Sequence, residues 1–273
     1  MIKKSIFLIF ILLPTLIFSQ NPGDLIVAPT RAVFEGRTRT IEINLVNNGT
    51  EKALYRIGFK NLRLTEEGAY EKVSEEQSAD SIYASSLVRY SPRQVSLQPG
   101  ERQIVRLMVR KPKDLPPGEY RSHLSFNAIP DLNKPSQEHE EGKVGIELIP
   151  IFGVSIPILV RHGNTNCEMS FENAKITENE NGDDVLEFTL NRKGNASYFG
   201  KVEVVHKTAD NSLGKIIAVK KGLSVLYPLQ KLNIRLPFLN KDKIDLNNGK
   251  LNFSFYRDRE HGEKLLAEID LEL

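Results

Sequence analysis

Residues 144–160 read VGIELIPIFGVSIPILV, and every even position is apolar or proline: Val144, Ile146, Leu148, Pro150, Phe152, Val154, Ile156, Ile158 and Val160. The odd positions are mixed and include Gly145, Glu147, Gly153, Ser155 and Pro157. A period of two is the signature of an extended strand with one apolar face. Fully extended, the segment spans roughly 50 Å at about 3.3 Å per residue, whereas ordinary strands run to about 5–6 residues. One small sandwich cannot easily bury so long a face. Proline donates no ladder hydrogen bond, so Pro150 and Pro157 favour an edge strand. A long apolar edge invites pairing with another chain unless it is covered. Two readings follow. The segment forms two consecutive buried strands with a bend at Gly153, or its first half is completed by another protein through β-augmentation.

The same alternation recurs on both sides of this segment. Ile41, Ile43 and Leu45 precede an Asn47-Asn48-Gly49 turn, and Tyr55, Ile57 and Phe59 follow it. Val105, Leu107 and Val109 form another run, and Leu232 to Leu236, Leu251 to Phe255 and Ala267 to Leu273 continue the pattern toward the C-terminus. Turn dipeptides such as Pro99-Gly100, Pro117-Gly118, Asn181-Gly182 and Asn248-Gly249 separate the runs. Short strands with regular turn signals predict an all-β protein of sandwich type. The polar stretch 131–142 (DLNKPSQEHEEG) reads as a loop. Arg161-His162-Gly163-Asn164 interrupts the long strand, and a new strand series starts near Met169 and Phe171. The chain of 273 residues therefore divides into two sandwich-sized pieces, 24–161 and 164–273.

The N-terminus sets the compartment. Lys3 and Lys4 precede a short apolar run from Ser5 to Phe18, with Ser19 as a small exit residue and a turn-like Asn21-Pro22-Gly23 behind it. This is the form of a cleavable secretory signal peptide over residues 1–19, the alternative being an uncleaved anchor. Its removal takes away two lysines, and the net charge falls from +2 to about zero. That balance argues against a nucleic-acid partner, which demands a basic face. Cys167 is the single cysteine, so no disulfide framework is available and the cores must supply the stability.

Against this background one resemblance stands out. Thr30-Arg31-Ala32-Val33-Phe34-Glu35-Gly36, followed by the alternating strand from Thr40 to Val46 and by Asn47-Asn48, resembles the opening of the periplasmic chaperones of the chaperone–usher pathway. The likeness continues through Ser91-Pro92-Arg93, Leu97-Gln98-Pro99-Gly100-Glu101, Val105-Arg106-Leu107, Leu115-Pro116-Pro117 and Phe126-Asn127-Ala128-Ile129-Pro130, and ends with the long strand closing at Arg161. The C-terminal half matches only in length and strand-rich character.

The resemblance implies two immunoglobulin-like β-sandwich domains in an L and a definite task. Such chaperones sit in the periplasm, hold pilus or fimbrial subunits that lack their last strand, and pass them to an outer-membrane usher. The long strand fills the subunit's groove by donor-strand complementation, a role that falls here to Ile146, Leu148, Pro150, Phe152 and Val154. The subunit's C-terminal carboxylate is anchored by an arginine on the first strand, matched by Arg31, and by a lysine whose position holds Pro157. Ser155 and Arg161 are the polar residues nearby, and Arg161 matches a residue that ties the family's domains together. A self-capping homodimer is a further pairing compatible with the family.

Other chemistry finds no anchor in the sequence. The histidines at 123, 139, 162, 206 and 261 lack the helical i, i+4 pairing of a zinc protease. Glu138-His139-Glu140-Glu141 reads as a solvated charge run rather than a cation site. No Gly-x-Ser-x-Gly elbow or phosphate-cradling loop occurs. The expectation is a protein without enzymatic activity, cofactor or metal. The competing reading is a structural or accessory component of a cell-surface or secretion assembly built on the same fold.

Overall fold

The computed structural model describes residues 25–74, 82–130, 151–239, 244–257 and 263–273. The proposed signal peptide and the 131–150 stretch, with Ile146, Leu148 and Pro150, lie outside the described residues.

Two β-sandwiches account for nearly all of the described chain, and the protein is all-β with two immunoglobulin-like units. In the first, β1 (Leu25–Ala28), β3 (Thr40–Asn47), β9 (Arg102–Val109) and β7 (Val88–Ser91) form one sheet in the order β1-β3-β9-β7. The facing sheet runs β2-β11-β10-β4-β8, from β2 (Ala32–Phe34), β11 (Gly153–His162), β10 (Gly118–Ile129), β4 (Ala53–Lys60) and β8 (Gln94–Leu97). The alternation read from the sequence is the packing code. Ile43 and Leu45 from β3, Tyr55 and Ile57 from β4 and Val105 and Leu107 from β9 point into one core, while the residues between them face water or the periphery. The turn after β3 is held by Asn47, whose Nδ2 donates to Glu51 O at 2.8 Å and Leu97 O at 3.0 Å while its Oδ1 accepts from Gly49 N at 3.0 Å. An asparagine side chain that bonds the backbone two residues on is a turn former for this reason.

The chain's first strand is shared between the two sheets. β1 pairs antiparallel with β3, then residues 29–31 cross over, and β2 pairs parallel with the end of β11, Ala32 opposite Ile158 and Phe34 opposite Val160. This crossing places Arg31 at the seam of the sheet, beside position 157.

β10 departs from simple alternation. Residues 118–126 are buried without interruption, including Glu119, Arg121, Ser122, His123 and Ser125. The second face of β10, with Arg121 and His123, meets the hairpin of β5 (Leu62–Leu64) and β6 (Tyr70–Lys72), Arg121 Nη2 donating to Leu62 O at 3.1 Å, while Ser122 on the core side accepts at Oγ from Ser85 N of a short 3-10 turn (Ala84–Ser86) at 2.9 Å. Tyr70 meets His123 edge-on with ring centroids 5.5 Å apart.

The second sandwich packs β12 (Cys167–Glu178), β13 (Asp184–Gly194) and β16 (Lys231–Pro237) against the sheet β15-β14-β17-β18, formed by β15 (Asn211–Val225), β14 (Tyr198–Thr208), β17 (Lys250–Arg257) and β18 (Leu265–Glu272). Phe188 and Phe253 meet at its centre, ring centroids 5.3 Å apart and planes inclined at 66°, with Phe171 beside them. The β5–β6 hairpin reaches across to this sandwich. Leu64 is buried within the second core, and Glu66 O accepts from Asn233 N of β16 at 2.7 Å. Between the sandwiches the chain turns at Gly163, whose φ of +62° is left-handed and whose added Cβ would come within 2.8 Å of Pro117 Cβ.

Candidate functional site: an open strand and an arginine-lined cleft

Two features stand out, and β11 belongs to both. Its residues 153–162 pair with β10 along one edge, Gly153 opposite Asn127 and His162 opposite Gly118. Along the other edge β2 covers only Ile158, Leu159 and Val160. Among the described residues, positions 153–157 therefore have a ladder partner on one side only. Pro157, at the end of this open stretch, sits where a missing N–H costs nothing on the uncovered side.

The even face of β11 changes surroundings along its length. Ile156, Ile158 and Val160 are buried in the first core, whereas Val154 is 36% and Phe152 51% exposed, with Ile151 at 63% beside them. Large apolar side chains stand in water where the strand leaves its own sandwich. The sequence brought Phe152 and Val154 together with Ile146, Leu148 and Pro150 as one strand; the structure describes the first two and shows them on one exposed face.

The second feature is a cleft between the sandwiches, a cavity of about 40 Å³ lined by Arg31, Val33, Arg161, Ser197, Tyr198, Phe199 and Arg257. Arg31 comes from the residue before β2, Val33 from β2, Arg161 from the end of β11, Ser197 from the residue before β14, Tyr198 and Phe199 from its start, and Arg257 from the end of β17. The Arg31 guanidinium stands over the Phe199 ring in cation–π contact, its Cζ 3.7 Å from the centroid. β14 and β17 run close here because residue 200 is glycine: a Cβ on Gly200 would come within 2.0 Å of Tyr256 O.

Arg161 closes the floor of this cleft. Its Nε donates to Glu119 Oε2 at 3.0 Å, its Nη1 to Glu35 Oε2 at 3.3 Å and its Nη2 to Ser197 O at 3.0 Å. Burial disfavours its charge, but the carboxylates of Glu119 and Glu35 more than offset that and raise its pKa further. Glu119, with its side chain wholly buried, also accepts from Ser197 N at 3.2 Å and from Ser197 Oγ. Ser197 Oγ in turn accepts from Tyr227 N at 2.8 Å. One buried carboxylate thus joins β10, β11 and β14, and so both sandwiches. Arg161 bonds Glu119 and Glu35 of the first sandwich and Ser197 O beside the second, and the sequence reading missed Glu119 and Ser197. Only the topology brings residues so distant in sequence together.

Of the polar residues considered in place of the family lysine, Ser155 is exposed on β11 and lies opposite Ser125, outside the residues lining the cleft. Arg257 was not foreseen: it lies in the C-terminal half, which matches the resembled family only in length and strand-rich character, and β14–β17 pairing, with Gly200 opposite Arg257, delivers it. Cys167 is half-buried, and burial pushes its thiol up to about 11, which leaves it protonated at neutral pH. Among the described residues no three His, Cys, Asp or Glu side chains gather to hold a metal.

No family model matches the sequence, and no curated protein matches it either. Solved structures do. A crystal structure of the YadV chaperone shares 11% identity, covers 92% of this chain and 100% of its own, and superposes with a TM-score of 0.50. The CupB2 chaperone of Pseudomonas aeruginosa covers 91% and 100% at 12% identity with a TM-score of 0.49. The SafA pilin in complex with the SafB chaperone of Salmonella enterica follows at 13% identity, 93% and 99% coverage and a TM-score of 0.47. Over 92% of its length the chain has the fold of the YadV chaperone, the two-sandwich fold that the N-terminal resemblance implied.

Proposed function

We propose that this protein is a periplasmic chaperone that holds pilus or fimbrial subunits by donor-strand complementation and delivers them to an outer-membrane usher. The observation that supports it most is the open half of β11, where Phe152 and Val154 continue the core-facing row of Ile156 to Val160 into solvent. A subunit lacking its last strand would pair with the uncovered edge and bury that row, extended by Ile146, Leu148 and Pro150. Each large side chain so buried contributes about 1.5–3 kcal/mol. Main-chain pairing gives breadth and pocket fit gives preference. In this reading residues 1–19 direct export, residues 24–161 and 164–273 are the two domains, and the chain performs no catalysis. Arg31 receives the subunit's terminal carboxylate in the cleft, where its planar fork matches the anion. A self-capped homodimer is the resting form in which the exposed row finds cover.

The test is co-expression in a periplasm with pilin-like proteins encoded nearby. The wild type is expected to bring down a small β-rich partner in stoichiometric amount. Phe152→Arg, which puts a charge into the groove, and Arg31→Ala are each expected to lose it while remaining folded. Recovery of no such partner, or of equal amounts with both variants, would overturn the proposal in favour of a structural or accessory component of a surface assembly.

A further inference from the structure

We infer that the outer face of the sheet β1-β3-β9-β7 is a docking surface for an anionic phospholipid leaflet. Which membrane it meets rests on the export proposed above. The binding itself rests on the face.

The row of side chains along β9 carries the argument. Val105, Leu107 and Val109 are buried in the first core. The other parity stands in solvent: Arg102, Ile104, Arg106, Met108 and, just past the strand, Arg110. Cation and large apolar side chain alternate, each arginine roughly 7 Å from the next at two residues of about 3.4 Å. The neighbouring strands extend both components. Arg89 of β7 lies opposite Met108, and Ile26 of β1 lies opposite Val46, itself opposite Arg102. Ile26, Ile104 and Met108 are each close to half exposed. Against these four arginines the four strands turn one carboxylate outward, that of Glu42, which accepts from Arg106 Nη2 at 2.9 Å. The chain as a whole carries a net charge of only +2, so the excess is concentrated here. An antiparallel sheet with one face in water ordinarily shows polar residues there. This one shows arginine and large apolar side chains in turn.

The chemistry of the occupant follows from three properties. The cations are all arginine, whose fork takes phosphate oxygens two at a time. The apolar side chains on β9 are set apart by arginines instead of gathering into one patch. A protein partner is held mainly by a desolvated centre of clustered anchors. A bilayer interface takes in apolar side chains at the headgroup boundary and adds the attraction of anionic lipid for each cation. Arginine stems lie along apolar surface while their heads stay at the polar level. β11 belongs to the facing sheet. A chain resting on a leaflet by this face therefore keeps its open strand edge free.

The experiment sediments the full mature chain with vesicles of phosphatidylcholine alone, and with vesicles in which phosphatidylglycerol replaces part of it. Saturable binding is expected to the second and none to the first, weakening as sodium chloride rises. One cation near an anionic surface is worth about fivefold in partition, from about 1 kcal/mol at 1.4 kcal/mol per decade. Arg89→Gln combined with Arg102→Gln is therefore expected to weaken binding roughly tenfold or more. Ile104→Ser is expected to weaken it several-fold while leaving its salt dependence unchanged. Lys215→Gln combined with Lys220→Gln removes two exposed charges from β15 of the second sandwich and is expected to bind as wild type. All these sites are exposed, circular dichroism checks that the variants fold, and the comparison of vesicles with wild type needs no variant. Equal binding to both vesicles, or binding to neither, would overturn the inference. So would a lysine pair as damaging as the arginine pair, or an Ile104→Ser variant that binds as wild type. Capture of poly-glutamate through the same arginines, by a chain that ignores vesicles, would make the face a dock for acidic protein instead. Vesicle binding by a chain that captures no β-rich partner leaves this inference standing and removes only the chaperone reading.

Discussion

Along one face of β11, Ile156, Ile158 and Val160 are at most 2% exposed, while Val154 and Phe152 on the same face stand 36% and 51% exposed. The residue types are alike and the spacing is unbroken. What differs is the company: Ile158 and Val160 lie between β10 and β2, Ile156 keeps its place in the first core, and among the described residues Val154 has β10 alone as its ladder partner. Alternation states that a face is built for burial. It does not state which molecule supplies the cover.

That contrast can be broken or sharpened by experiment. The largest effect is expected at the closed end of the strand. Glu119→Ala leaves the Arg161 cation without its buried carboxylate and removes the acceptor for Ser197, and breaking such a pair costs about 3–5 kcal/mol. Equilibrium urea unfolding measures it, and a loss under 1 kcal/mol would show that the seam between sandwiches carries little. Ile158→Ala opens a cavity in a fully buried site and is expected to cost about 2–5 kcal/mol by the same measurement.

A pH-dependent term sits at the junction of the two halves, where His123 of β10 lies opposite Pro157. Burial, together with the nearby Arg121 charge, lowers its pKa from 6.5 to about 4. The unfolded chain therefore binds the proton more readily between those values. Stability is full above about pH 6.5 and declines as the pH falls toward 4, by up to about 3 kcal/mol. His123→Phe is expected to flatten that part of the urea midpoint–pH curve, and an unchanged slope would assign the titration elsewhere. The smallest effect belongs to the open half: Phe152→Ala should leave stability within about 0.5 kcal/mol of wild type. A cost of 2 kcal/mol or more would mean that Phe152 serves the protein's own core, and the contrast along β11 would vanish.

The strands were legible because each carries its own period: Ile43 and Leu45, Leu251 and Phe253, and the even row of β11 all point where alternation sends them. The buried polar run of β10 was not legible, since Arg121 and His123 look like surface residues until the β5–β6 hairpin meets them, and Glu119 does until Arg161 and Ser197 enclose it. Of the cleft, Arg31 and Arg161 could be read by their place in an ordered set of landmarks. Glu119, Ser197, Phe199 and Arg257 could not, because their proximity is a product of strand pairing across the whole chain and leaves no local mark.

Leu64 has the last consequence. It belongs by sequence to the first half of the protein and by packing to the second, where it lies among Leu232, Ile234 and their neighbours. A ribosome delivers Leu64 long before the strands it completes. The second core closes only around a residue of the first half, and the two halves are not interchangeable modules. Cut between them, the C-terminal piece would carry a hole where its missing leucine belongs.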